Sequence, residues 1–143
     1  MVKPLQLVLV VNALGDFGLA AVLSFKPALL KGTPLDMLPG PHFAPLFKGA
    51  PAGALELYGR TLALAILLLG VMRLHGGINW GEKGAYRVAL WSYVGEILMF
   101  AREIQAGTLP LMPYAGICGG LVLLILLMSA QYKQVLYPKT KKQ

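Results

Sequence analysis

The sequence predicts an all-α polytopic membrane protein, a four-transmembrane-helix bundle with a Pro-rich first loop. Apolar residues make up 57% of the chain and charged residues 13%, with a mean hydropathy of +0.65, a profile foreign to a soluble domain. Four stretches have roughly the length that an α-helix needs to cross about 30 Å of hydrocarbon. A chain of 15.4 kDa cannot hide that much apolar surface in one soluble core, so lipid must cover what folding leaves exposed. A single membrane domain over residues 1–143 is expected.

The first helix is expected at about 5–25 and ends where Lys26-Pro27 follows, since proline fits poorly inside a continuing helix. Lys3 is its only early cation, Asn12 and Asp16 break the apolar run, and no convincing small-residue cleavage site precedes Lys26. These features mark a retained helix rather than a cleaved signal. The loop 26–53 carries Pro27, Pro34, Pro39, Pro41, Pro45 and Pro51, which prevent long helices, while Leu29, Leu30, Met37, Leu38, Phe43 and Phe47 stay apolar. Such a loop either lies along the bilayer interface or a partner, or is a plain connector, and its composition suits both.

The second helix is expected at about 54–74, the third at about 84–105 and the fourth at about 114–136, with a basic tail at 137–143. The third is the least compatible with lipid, because it contains Arg87, Glu96, Arg102 and Glu103. Gly76-Gly77 reads as part of a short turn. Gly116 and Gly120 have the small-xxx-small spacing that lets membrane helices approach closely.

The net charge of +7 gathers in Lys133, Lys139, Lys141 and Lys142 and in scattered juxtamembrane positions, without the interleaved aromatics or Arg-rich stripe of a nucleic-acid surface. No nucleic-acid partner is expected. Four spans put both termini and the middle connection on one side, and the Lys and Arg bias makes that side cytosolic. Lys139 and Lys141 stand fifth and third from the end, a spacing that resembles the dilysine retrieval signal of endoplasmic reticulum proteins. A basic tail against anionic lipid heads is the plainer account; retrieval is placed slightly ahead of it, because the spacing fits and the topology permits it.

Chemistry finds little footing. His42 and His75 fall in connecting regions on opposite sides, and Cys118 stands alone in an apolar run, so no metal and no cofactor is expected. No Ser, Thr or Cys has an identifiable His partner, so hydrolase chemistry has no support. The remaining candidates are the intramembrane charges, whose cost usually marks function or a partner. Asp16 and Glu96 both fall near mid-depth and form, with Asn12 one turn from Asp16, a candidate polar intramembrane site. Two carboxyls at one depth could share a proton and serve a lipid or sterol isomerase; the plainer account is that neighbouring helices satisfy each of them, with Asn12 helping Asp16. Arg60 and Glu103 reach similar depth and suit an ion pair. Arg73 lies about 20 Å further along and is expected to extend to the cytosolic interface.

The run from Arg60-Thr61 through Arg73, Tyr86, Leu90-Trp91-Ser92-Tyr93, Phe100 and Glu103 to Gly107-Thr108 resembles the ergosterol biosynthetic protein 28 family, over roughly residues 55–135. Those proteins are small four-helix proteins of the endoplasmic reticulum. Met99 stands where the family tends to have a His, Glu96 lies outside the family pattern, and the Pro-rich loop is longer than usual. The resemblance implies a non-catalytic scaffold that holds the sterol C-4 demethylation enzymes together at the membrane. It makes Arg60, Thr61, Arg73, Tyr86, Trp91, Phe100 and Glu103 helix-packing or partner-binding residues. The expected partners are other integral membrane proteins and membrane lipids, sterol among them. The alternative is an accessory structural subunit of a large organellar complex (respiratory, ATP-synthesising or photosynthetic), which would move the chain from the endoplasmic reticulum to the mitochondrial inner or another organellar membrane.

Overall fold

The computed structural model describes residues 3–25, 29, 53–105, 107 and 111–137. Most of the Pro-rich loop, with His42, and the tail lysines Lys139 and Lys141 lie outside the described residues.

Among the described residues, four α-helices follow in order: α1 Pro4–Phe25, α2 Ala54–Ile78, α3 Lys83–Gln105 and α4 Leu111–Leu136. Pro4 opens α1 at the one helical position where a missing N–H costs nothing. Gly53 precedes α2 with φ +87°, a left-handed turn that a residue with a Cβ rarely adopts. Three of the described helices are long and apolar enough to cross a membrane: α1, α2 over Leu57–Ile78, and α4 over Tyr114–Val135. At about 1.5 Å per residue each of these spans is about 33 Å long. By the same measure α3 is too polar.

The second helix does not stop at Leu74. It continues through Gly76 and Gly77 to Ile78, and the Asn79 N–H closes its last turn on the His75 carbonyl at 2.9 Å. His75 is therefore helical, with Nδ1 3.0 Å from the Asn79 amide nitrogen. The two glycines are needed for contact, not for a turn. A Cβ on Gly76 would lie 2.4 Å from the Ala89 Cβ of α3, and one on Gly77 would lie 2.8 Å from the Val10 Cγ2 of α1. The Gln6 side chain also donates to the Gly77 carbonyl at 2.9 Å, satisfying an acceptor in the final turn, where helices leave carbonyls unpaired. The close approach expected at Gly116 and Gly120 is absent, for no atom of another described element lies within 4 Å of a Cβ at either position.

Each helix packs on the next in chain order, α1 on α2 most extensively. The least apolar helix nevertheless supplies the centre of the core. Tyr86, Ala89 and Tyr93 of α3 are completely buried, and Phe100 continues the same face. Tyr86 and Tyr93 lie two turns apart, so the period of 3.6 keeps them in register. The Tyr86 hydroxyl donates to the Met128 carbonyl of α4 at 2.6 Å, and its ring meets Trp80 edge-on at 5.1 Å. Arg87 Nε donates to the Tyr132 hydroxyl at 2.7 Å. Near the same end, Lys83 holds the exposed Tyr137 hydroxyl below the usual phenol range, by a hydrogen bond first and by its charge second. Leu64, Leu68, Trp91, Leu98 and Leu126 face outward, an apolar exterior that lipid solvates.

Candidate functional site

The charges at mid-depth converge on Arg73. In an α-helix the Cα–Cβ bonds tilt toward the N-terminus, so a side chain near the end of α2 leans back toward the middle of the bundle. Arg73 lies five residues before the end of α2, and its side chain takes that inward course. It is 3% exposed, so the expected extension to the interface does not occur. Two carboxylates at mid-depth hold it more favourably than headgroups that its own helix geometry turns it away from.

Groups on α1 and α3 bind the guanidinium that α2 carries. Nη1 donates to Asp16 Oδ2 of α1 at 2.8 Å, Nη2 donates to Glu96 Oε2 of α3, and Nε donates to Ser92 Oγ at 3.3 Å. The Tyr93 ring lies beneath Cζ, 4.2 Å from centroid to carbon, a cation–π contact strengthened by the dry surroundings. Ser92 Oγ in turn donates a hydrogen bond to the Ala89 carbonyl at 2.7 Å. Residues 92 and 93 both neighbour residue 96 on α3, because they precede it by four and three positions. Gly70 brings α1 near enough to take part, since a Cβ there would come within 2.7 Å of the Phe17 ring and 3.0 Å of the Asp16 Cβ.

The arrangement unites Asp16 and Glu96, but through an arginine rather than a shared proton. Asn12 does not serve Asp16; its amide donates to the Tyr93 hydroxyl at 2.9 Å, fixing the ring that supports Arg73. Two carboxylates around one guanidinium leave a formal excess of one negative charge when both are ionised. The side chains of Asp16 and Glu96 are each 16% exposed.

The other expected residues fall elsewhere. Tyr86 and Phe100 are core residues, whereas Trp91 is 65% exposed on the outer face of α3. Thr61 is exposed and donates to the Leu57 carbonyl of its own helix at 2.9 Å. Arg60 borders a groove beside Phe17 and Ala20, and both Arg60 and Glu103 are engaged in polar, ring or electrostatic contacts. Among the described residues, no group of three His, Cys, Asp or Glu side chains could hold a metal ion. Ser92, Tyr93 and Gly70 are the members of the site that depth arguments miss. The usable signal was the 92, 93, 96 spacing on a helix that had to face another helix's charge.

Among the described residues, four helices, three of them able to cross a bilayer, with an Arg73-centred ion triad inside and many large apolar residues facing outward, define a helical integral membrane protein. Residues 42–106 match the model of the family described as Erg28 like protein. This is the family that the run from Arg60 to Thr108 resembles, and the match covers a little under half of the chain. No curated protein and no solved structure matches the chain. The matched segment contains Arg73 and Glu96 but not Asp16, so the ion triad joins the family segment to α1. The family match also supports a membrane setting within sterol biosynthesis.

Proposed function

We propose that the chain is a non-catalytic membrane scaffold, a single domain over residues 1–143, that assembles other integral membrane proteins, by family resemblance the enzymes of sterol C-4 demethylation. The observation that carries this reading is the family match over residues 42–106. The triad agrees with it, because Asp16 and Glu96 are tied to Arg73 instead of standing ready to transfer protons to an isomerase substrate. In this reading α3 is the fourth span. Its Ser92, Tyr93 and Glu96 are turned onto Arg73, which removes much of the polarity that lipid would oppose.

The outer face of α3, with Trp91 and Leu98, then meets partner helices, and tethering raises the enzymes' effective concentration so that a poorly soluble intermediate passes between them. The site of action is the endoplasmic reticulum, with Lys139 and Lys141 as the retrieval signal. An internally tagged chain, which leaves the tail free, tests this by recovery in mild detergent and mass spectrometry. Sterol-demethylation enzymes among the recovered proteins are expected. Respiratory, ATP-synthase or photosynthetic subunits instead would move the chain to an organellar complex, and no partner at all would end the scaffold reading.

A further inference from the structure

Beside the triad, all four helices border a cavity of about 120 Å³. Leu62 and Ile66 of α2 give it apolar walls, Asp16 and Glu96 line its polar side, and Phe100 and Tyr114 also border it. Tyr114 is 1% exposed, and its buried hydroxyl has no hydrogen-bond partner among the described residues. A buried hydroxyl left alone loses its hydrogen bonds to water without replacement, so this atom points to a missing partner. Phe100 lies one turn beyond Glu96, with its ring 5.5 Å from that of Tyr114. Tyr114, which carries the unpartnered hydroxyl, and Glu96 therefore border the same cavity.

We infer that this cavity binds the hydroxyl end of a neutral lipid alcohol. A hydroxyl both accepts and donates, so it can accept a hydrogen bond from the Tyr114 hydroxyl and donate one to a carboxylate oxygen. Donation also answers the excess of negative charge that one arginine leaves on two carboxylates. The volume holds a ring or a short length of chain rather than a whole lipid. Met99 and Ile117, each 37% exposed, mark the open side, between α3 and α4, through which the remainder extends. A sterol and a diacylglycerol both carry this chemistry. The inference stands apart from the scaffold reading, since binding is measured on the purified chain without partners.

The probe is a photoreactive diazirine sterol with a free hydroxyl, added to the full chain in lipid nanodiscs. Unlabelled sterol, its methyl ether, a diacylglycerol and a long-chain amine serve as competitors. Labelling is expected at Met99, Ile117 and Leu62, with the free alcohol competing about five- to tenfold better than its ether, the worth of one hydrogen bond. Tyr114→Phe removes that preference, and Ile117→Trp, which obstructs the open side, removes the labelling itself. Competition by diacylglycerol equal to that by sterol supports the site and identifies the broader source. Equal competition by the ether, an unchanged preference in Tyr114→Phe, stronger competition by the amine, or labelling spread over outward residues such as Leu64 and Leu126 would each overturn the inference.

Discussion

Neutralising the two carboxylates around Arg73 one at a time and then together gives a non-additive series whose form follows from charge count. In Asp16→Asn or Glu96→Gln, one carboxylate still faces one guanidinium, so the site becomes balanced. The loss is limited to turning one charge-assisted hydrogen bond into a weaker one, about 1 kcal/mol. In the double variant the guanidinium, 3% exposed, keeps Ser92 and the Tyr93 ring but has no counter-charge. An uncompensated buried charge costs about 3–5 kcal/mol. The double therefore exceeds the sum of the singles by about 1–3 kcal/mol, the range seen for directly coupled residues. Adding Arg73→Met to the double recovers most of the loss, because replacing a whole buried ion network with neutral groups of similar volume is often close to neutral. Unfolding titrations in mixed micelles measure each step. Additive losses, or a triple variant no more stable than the double, would refute the triad as the element that joins α1, α2 and α3.

Two further predictions concern packing and pairing. Gly76→Ala forces α2 from α3 and costs about 1–3 kcal/mol, the usual cost of overpacking, because the added carbon would sit 2.4 Å from the Ala89 Cβ. Gly116→Ala and Gly120→Ala meet open space and are neutral or stabilise by up to about 1 kcal/mol through helix propensity; thermal unfolding of the three variants compares them directly. For Arg60 and Glu103, the depth argument predicts that alanine at either position lowers folded yield and that exchanging the two residues partly restores it. Monodisperse yield after size exclusion reports this, and an exchange variant no better than either alanine change removes the pair.

The number, order and approximate limits of the helices were legible in the sequence, because span length and proline breaks are local properties read one segment at a time. The end of α2 was not. Gly76-Gly77 has the composition of a turn, and only the backbones of α1 and α3 pressing against those positions make glycine a helical contact residue there. The site divides along the same line. Sequence alone set Asp16 and Glu96 near mid-depth, since depth follows from rise per residue. Which groups neutralise them depended on tertiary structure, because residues on three helices meet only after their faces are oriented. Arg73 shows the reason: its distance from the helix end suggests the interface, but the lean of its side chain and two waiting carboxylates draw it inward. The chain's apolar composition determined a membrane protein, and the packing of its helices decided that the costly charges hold the bundle together.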